Sequence, residues 1–354
     1  MAAPPLEDEN LLPEILLLLP PEPSSLPRAS AVCKRWRGVV SDRRFIRRFR
    51  LHHRRNAPLL GFFSSDGGES FQPTLQTPNR VSPGRFSFQQ DRGELRSRGC
   101  RDGLMLLLDP KRKQALVWDP VTGDQDRIAL PPRFDNLAQG AVLRAAGDVH
   151  FQFQVVLVAS DCERVLGCVY SSETGLWGNL ISTALLSTSI LARKPAVLVR
   201  DSLHWILIGQ VSGILEFDLE RLSQAVIPLP MYDMFQEEKD IMVMPAEGGG
   251  LGVLLVSGED LSAQLWKRKT DCDMVASWEL GRTIEMAKLL SLNLVGERKF
   301  LRIFGFAECN SVTFLKTAAG LFMVELESLQ FKKVSEAPDL HRCEPFESVY
   351  AAGI

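Results

Sequence analysis

The feature that most constrains the fold is a change in the hydrophobic pattern near Leu59. From this point the apolar residues form short runs, mostly of about 4 to 8 residues, which is the usual length of β-strands. Gly, Pro, Asp and Ser residues, which favour turns, separate the runs. Examples are LLGFF at 59–63, LMLLL at 104–108, HWILIG at 204–209 and VTFLKT at 312–317. The pattern predicts an antiparallel all-β region over most of the chain.

The β-like runs also repeat weakly. Segments such as LVWDPVTGDQDRIALP at 116–131 and LEFDLERLSQAVIPLP at 215–230 each combine a strand, a polar turn and a second strand. Equivalent aromatic or branched residues recur at intervals of roughly 50 residues, near the length of a four-stranded propeller blade. We therefore predict a kelch-like β-propeller of roughly six blades, with a large β-sandwich as the alternative. The equivalent residues are Trp118, Tyr170, Phe217, Trp266 and Val324.

A propeller must also be closed, because an open ring would leave unpaired strand edges at its two ends. The C-terminal residues 348–351 (SVYA) have the composition of a strand. We expect them to pair with the first β-like run at 59–63, so that the two ends of the propeller share one blade.

The N-terminal stretch at 11–42 has helical periodicity instead. In LLPEILLLL (11–19) apolar residues recur at intervals of three and four, and Leu17 and Leu18 widen the apolar surface. Asn10 can cap this helix, and Pro13 lies in the first turn, where its missing N–H costs little. After PPEPSS we predict a second helix, capped by Ser24 or Ser25. Its apolar residues are Leu26, Ala29, Val32, Cys33, Trp36, Val39 and Val40.

Two such short helices carry more apolar surface than they can bury against each other, because about 40 residues rarely form a core of their own. Either the helices pack on the downstream domain or a partner protein covers them. The pattern alone leaves both possibilities open.

A basic segment at 43–55 follows the second predicted helix. Phe45, Ile46, Phe49 and Leu51 keep helical spacing among arginine and histidine residues, which predicts an amphipathic helix with a solvated basic face. A nuclear-import or nucleic-acid patch and a docking surface for an acidic partner are the alternatives.

Composition excludes several classes of protein. The chain has 41 basic and 43 acidic residues, so it has no overall attraction to nucleic acid or membranes. No stretch reaches the roughly 20 apolar residues that a membrane helix needs. Seven scattered cysteines without a CxxC pair predict neither a disulfide framework nor a zinc site. These features predict a cytoplasmic or nuclear protein with reduced thiols.

We find no pattern typical of catalysis. None of the five histidines has a metal-ligand spacing, and the GxSxG motif is absent. Asp119, Asp124, Asp126, Asp218 and Glu220 follow strands and are predicted to form turns. We therefore predict no catalytic site, no metal site and no cofactor. The tryptophans expected in the core between blades are Trp118, Trp177, Trp205, Trp266 and Trp278.

Two parts of the sequence resemble one family. LLPEIL, LLPPEPSSLPRAS and VCKRWRGVVSD, followed by RRFIRRFRLHH, resemble the F-box of a large group of plant proteins, over residues 6–53. CRDGLMLLL, VWDPVTG, LEFDL and GFAECNSVTFLKTAAGLFMVELESLQFKKV resemble the F-box-associated propeller of the same group, across 58–354. The chain differs from the common F-box pattern at Pro13 and at Leu18, where the group often has arginine.

The resemblance implies an all-α F-box at 6–50, a basic connector at 51–57 and a propeller at 58–354. The F-box would bind a Skp-type adaptor, and through it the cullin scaffold of an SCF-type ubiquitin ligase. The propeller would bind an unknown protein substrate, and the chain would act by proximity without catalysis. A nucleic-acid-binding or enzymatic propeller is the alternative. The residues implied to bury against the adaptor are Leu12, Ile15, Leu16, Leu19, Pro20, Leu26, Val32, Cys33, Trp36 and Val40.

Overall fold

The computed structural model describes residues 11–64, 70–86, 95–134, 138–145, 151–209, 212–229, 239–270, 276–292, 300–336 and 343–351. The predicted cap Asn10 and the outermost residues of the two predicted domains lie outside these ranges. Within them, short N-terminal helices are followed by strands that form a six-bladed β-propeller. No helix in these ranges is long and apolar enough to cross a membrane.

The N-terminal helices, called here the helical unit, end in a single turn of 3-10 helix. Residues 51–53 of the predicted connector continue the last α-helix, and the next three form the 3-10 turn. The helices are α1 (Leu11–Leu17), α2 (Ser25–Ser30), α3 (Lys34–Ser41) and α4 (Arg43–His53), followed by the 3-10 helix at Arg54–Asn56.

The second predicted helix is therefore wrong as one element, because it is broken between α2 and α3. Cys33 has an extended backbone, and its Sγ accepts a hydrogen bond from the Trp36 N–H at 3.5 Å, which caps α3. Apolar residues at three- and four-residue intervals continue across this break, so their spacing could not locate it. Ser24 occupies the predicted cap position of α2, but its side chain makes no capping hydrogen bond.

The amphipathic helix predicted in the basic segment is confirmed as α4. Asp42 caps it, because its Oδ1 accepts hydrogen bonds from the N–H groups of Arg44 at 2.7 Å and Phe45 at 3.0 Å. Phe45, Phe49 and His53 are four residues apart and are buried on one face. That face packs into the core of the helical unit.

The propeller blades follow one another along the chain, and the first strand of each lies nearest the channel, since first strands of neighbouring blades contact one another. Blade one contains β3 (Arg96–Arg101), β4 (Leu104–Asp109), β5 (Gln114–Trp118) and β6 (Gln125–Ala129). Blade four contains β16 (Lys239–Pro245), β17 (Leu251–Ser257), β18 (Ser262–Thr270) and β19 (Ala276–Glu285), followed by α5 (Met286–Leu289). Blade five contains β20 (Leu301–Ala307), β21 (Val312–Thr317), β22 (Gly320–Glu325) and β23 (Phe331–Ser335).

Blades two and three share one continuous sheet. The long strand β11 pairs with β9 along one part and with β13 near its end, where Ile190 lies opposite Ile208. Blade two contains β7 (Gln139–Arg144), β8 (Phe153–Ser160), β9 (Cys162–Ser171), β10 (Leu176–Trp177) and β11 (Ile181–Leu191). Blade three contains β12 (Val197–Val199), β13 (Ser202–Gly209), β14 (Gly213–Asp218) and β15 (Ser223–Pro228).

The predicted repeat is confirmed by the position of its marker residues. Each lies in the third strand of its blade, and the markers of the first five blades are therefore structurally equivalent. The cores that they join lie between neighbouring blades: Leu106 and Val117 of blade one, for example, pack with Leu157 of blade two.

The sixth blade closes the ring with strands from both ends of the chain. It contains β24 (Cys343–Glu347), β1 (Leu59–Ser64) and β2 (Ser70–Pro73), with β1 in the middle. The predicted partner of the closing strand is confirmed, but the predicted strand at 348–351 is wrong. The strand that pairs with β1 lies just before it, with Phe346 opposite Gly61. Residues after Glu347 instead turn toward the helical unit, where Val349 and Ala351 are buried.

Candidate functional site

The helical unit has a small core to which the C-terminal segment contributes. Leu16, Val40 and Phe49 are buried together, and Val349 and Ala351 pack against the same cluster. Part of the apolar surplus of the N-terminal helices is therefore covered by the chain itself. Packing on the downstream domain, one of the two possibilities left open by the sequence, therefore accounts for part of this apolar surface.

The residues implied to bind an adaptor divide into two groups. Some are already buried within the chain, and the others remain accessible. Ile15, Leu19 and Trp36 are partly exposed, whereas Pro20, Val32 and Cys33 are exposed. The buried group, with exposed fractions of 2% or less, consists of Leu12, Leu16, Leu26 and Val40.

Two apolar side chains of the helical unit are largely exposed to solvent. Leu18, directly after α1, is 72% exposed, and Val32, between α2 and α3, is 61% exposed. The sequence comparison singled out Leu18 only as a departure from the family pattern. Leu11 is also exposed and was not among the predicted site residues. Exposed apolar side chains on one small helical unit are candidates for a binding surface.

A groove of about 550 Å³ runs between α1, α3 and the start of α4. Leu12, Val39 and Phe45 supply its apolar lining. Arg48 lies at its edge and forms two hydrogen bonds of 2.6 Å with the Glu14 carboxylate, so that α4 is linked to α1. The hydrogen bond from Arg48 holds the pKa of Glu14 below its usual value. The groove thus combines apolar contacts with a charged edge.

Arg54 joins the helical unit to the propeller. Its Nη2 donates to Asp102 Oδ2 at 2.7 Å and to the Arg144 carbonyl at 2.6 Å, and its Nη1 donates to the Ala145 carbonyl at 3.3 Å. Burial works to raise the pKa of Asp102, but the hydrogen bond and charge of Arg54 outweigh it and hold that pKa below its usual value. The end of α4 is therefore fixed against blades one and two.

Asn310 makes a second junction, in the turn between β20 and β21. Its Nδ2 donates to the Ala57 carbonyl at 2.9 Å and to Glu347 Oε1 at 2.6 Å. Glu347 also accepts from the Cys309 N–H at 3.1 Å, and burial raises the pKa of its carboxyl. This cluster joins the end of the helical unit to the end of the closing strand.

Charged side chains bridge the blades near the propeller channel. Arg101 forms an ion pair with Glu308 and donates to the Ala196 carbonyl at 2.9 Å. Lys194 and Asp240 form another ion pair at 2.6 Å. A cavity of about 20 Å³ lies beside Arg101 and Glu308, which is room for about one water molecule. These charged groups are engaged in holding blades together.

Two of the turns predicted for the propeller, at Asp119 and Asp218, are confirmed. Asp119 Oδ1 accepts from the Val121 and Thr122 N–H groups, and Asp218 Oδ1 accepts from the Glu220 and Arg221 N–H groups, which are side-chain turns of the expected kind. In the part of the chain that the structure describes, no group of three or more His, Cys, Asp or Glu side chains is arranged to hold a metal ion.

The tryptophans differ in exposure. Trp118 and Trp205 are buried, as predicted. Trp177 and Trp278 are partly exposed, and each donates from Nε1 to a carbonyl of the neighbouring blade: Ala129 at 2.9 Å and Pro228 at 3.0 Å. These outer tryptophans therefore link adjacent blades.

The solved structures that match this chain share little sequence with it. A streptogramin B lyase matches with 11% identity and a TM-score of 0.42, covering 79% of this chain and 83% of the lyase. The Dos1 propeller matches with 8% identity and a TM-score of 0.40, covering 80% of this chain and 71% of that one. Neither match is close enough to indicate a function.

Sequence relatives are more informative. The F-box/kelch-repeat protein At1g15680 of Arabidopsis thaliana is 24% identical over 309 residues, which cover 78% of this chain and 72% of the relative. An F-box-like family model matches residues 9–52, the helical unit. The family model described as "F-box protein AT5G49610-like, beta-propeller" matches residues 97–350. The chain carries an N-terminal F-box-like domain and belongs to the family of F-box proteins with an AT5G49610-like β-propeller.

Proposed function

We propose that the protein is the substrate-recognition subunit of an SCF-type ubiquitin ligase. The helical unit binds a Skp-type adaptor, and through it a cullin scaffold, while the propeller binds a target protein. The chain performs no bond chemistry in this role and raises the effective concentration of the target near the ligase. It acts in the cytoplasm, the nucleus or both. Membership of the F-box family supports this proposal.

The observation that carries the adaptor assignment is the exposure of Leu18 and Val32 on a helical unit whose core is otherwise buried. Covering apolar side chains of this size contributes about 1.5–3 kcal/mol each when burial is complete. We assign direct adaptor contacts to Leu18 and to the accessible residues of the predicted set: Ile15, Leu19, Pro20, Val32, Cys33 and Trp36. The buried members act through the packing of the helices, and they are Leu12, Leu16, Leu26 and Val40.

The test is a pull-down with a plant Skp-type adaptor. Leu18→Asp combined with Val32→Asp should reduce adaptor retention at least about tenfold, because two charged groups would be desolvated in the interface. Leu176→Asp is a matched control, since Leu176 is 68% exposed but lies on blade two. The control should retain the adaptor as the wild type does. Equal retention by the double variant, with unchanged circular dichroism, would refute the assignment.

We assign target binding to the face of the propeller opposite the helical unit. Successive turns between antiparallel strands alternate between two faces. The helical unit contacts Asp102, Arg144 and Asn310, at or beside turns between first and second strands. The turns between second and third strands therefore lie on the other face, where the helical unit leaves them accessible.

Charge reversal can test this face separately from the adaptor surface. Lys111→Glu combined with Arg133→Glu changes exposed side chains on the opposite face. Arg221→Glu is the control, because Arg221 is exposed in a turn on the same face as the helical unit. In proximity labelling, the first variant should lose targets that wild type and control share. Identical labelling by all three proteins would exclude this part of the opposite face.

A further inference from the structure

A cleft of about 620 Å³ lies between α4 and the propeller. Arg43, Arg47 and Arg50 line it from α4. Blade one contributes the turn at 119–124, and Arg144 of blade two lies beside it. The volume falls within the range of small-molecule sites, which often lie between domains. This cleft is separate from the exposed apolar residues assigned to adaptor binding.

Most acidic groups around the cleft already have partners. Asp102 is paired with Arg54 at 2.7 Å. Asp119 Oδ2 is paired with Arg144 at 2.8 Å, while its Oδ1 accepts two backbone N–H groups. Glu347 accepts hydrogen bonds from Asn310 and Cys309. These carboxylates have little capacity left to neutralise another arginine.

Arg50 differs from these paired charges because part of its guanidinium is buried without a partner among the described residues. Its Nε is buried and, in the part of the chain that the structure describes, has no hydrogen-bond partner. Burial lowers the pKa of Arg50, and Asp119 and Asp124 only partly offset this by attraction through space, while Arg144 repels it. A guanidinium stays protonated in proteins, so the cost of burying its charge is compensated only in part. An anion in the cleft would compensate it.

We propose that this cleft binds a phosphate-bearing small molecule whose oxyanion is seated on Arg50. A phosphate group carries more than one charge and presents several acceptor oxygens, which match the forked donors of a guanidinium. Arg47 lies one helical turn before Arg50, at a spacing that lets both side chains reach one phosphorylated ligand. Such a ligand would bridge α4 and blade one.

The experiment is calorimetric titration of the full-length protein with inorganic pyrophosphate at constant ionic strength. We expect wild type to bind and Arg50→Gln to bind at least about tenfold more weakly, because the charge-assisted hydrogen bonds are lost. Arg55→Gln is the matched control, since Arg55 is exposed and does not line the cleft. It should bind like wild type. Titration with inorganic phosphate in parallel distinguishes recognition of a single phosphate group from that of a diphosphate.

Thermal unfolding without ligand separates a binding role from a structural one. Arg50→Gln should unfold at the same temperature as wild type or a higher one, because it removes an unpaired buried charge. Absence of pyrophosphate binding to wild type, or equal binding by Arg50→Gln, overturns the proposal.

The main alternative to an anion in the cleft is an ion pair between Arg50 and Asp124 in solution. In that case Arg50→Gln and Asp124→Asn would lower the unfolding temperature by non-additive amounts, and pyrophosphate would have no effect. That outcome also overturns the proposal. The test uses no adaptor, so its result is independent of the proposed ligase function.

Discussion

At the scale of single residues, His53 couples stability to pH. Its Nε2 donates to the Leu17 carbonyl at 2.9 Å, in the neutral tautomer that carries this proton, and its ring packs on Phe49 at 4.5 Å between centroids. Burial lowers the pKa of His53. Its neutral form therefore contributes stability above the unfolded pKa of about 6.5, and this contribution is lost as the pH falls through the folded value.

We predict that the free energy of unfolding falls more steeply on acidification in wild type than in His53→Gln, which has no imidazole to protonate at this position. Urea denaturation between about pH 5 and 8 would measure the difference. His52→Gln is the control, because the neighbouring His52 is exposed. It should keep most of the pH dependence of wild type, because the His52 charge contributes less than burial to the lowered pKa of His53. Parallel curves for wild type and His53→Gln would contradict the prediction.

The contacts of a residue could be predicted when its partners lie close to it in the sequence. The turns at Asp119 and Asp218 involve backbone groups two or three residues away, so their residue types were enough. His53 instead contacts a residue 36 positions away, and Asn310 contacts Ala57 across 253 positions. The unpaired charge of Arg50 likewise depends on which distant carboxylates are already engaged. Residue type and spacing contain no information about such contacts.

At the scale of elements, the periodicity of apolar residues predicted a helix but not which of its leucines are buried and which are exposed. Leu16 and Leu18 both lie in the LLLL run, yet Leu16 is buried and Leu18 is exposed. Leu16→Ala should lower the free energy of unfolding by about 2–5 kcal/mol, because it leaves a cavity. Leu18→Ala should change it by less than about 0.5 kcal/mol. Equal losses in urea denaturation would contradict these positions.

The closing strand shows why β-propensity misplaced one element. β24 has the sequence CEPFE, and its acidic residues and Pro345 are disfavoured in strands, whereas SVYA looks more favourable. Pro345 is tolerated because β24 pairs with β1 on one side and borders the channel on the other. Tertiary pairing therefore outweighs local preference here.

Phe346 is the residue through which β24 should stabilise the closed ring. It is fully buried, and its ring lies 5.3 Å from Phe63 and 5.2 Å from Phe86, measured between centroids. Phe346→Ala should cost about 3–5 kcal/mol in chemical denaturation. Phe331→Ala is the control, because Phe331 is 44% exposed on the outer strand of blade five. A loss at Phe346 no larger than at Phe331 would mean that this contact does not hold the ring.

At the scale of the whole molecule, the helical unit and the propeller share parts of the chain. The sequence predicted two successive domains, and the family models match two successive regions. Yet Val349 and Ala351, which follow the closing strand, pack into the core of the helical unit. The Ser348 N–H also donates to the Pro58 carbonyl at 3.2 Å. Folding of the helical unit should therefore depend on closure of the propeller.

Truncation after Glu347 tests this dependence. It keeps β24 but removes Val349 and Ala351, so the helical unit should lose at least about 2 kcal/mol of stability from exposed apolar surface. Adaptor retention should fall with it, because the accessible site residues are held by that core. Truncation after Ala351 is the control and should behave like wild type. If both truncated proteins unfold at the same urea concentration and retain the adaptor equally, the C-terminal segment does not support the helical unit.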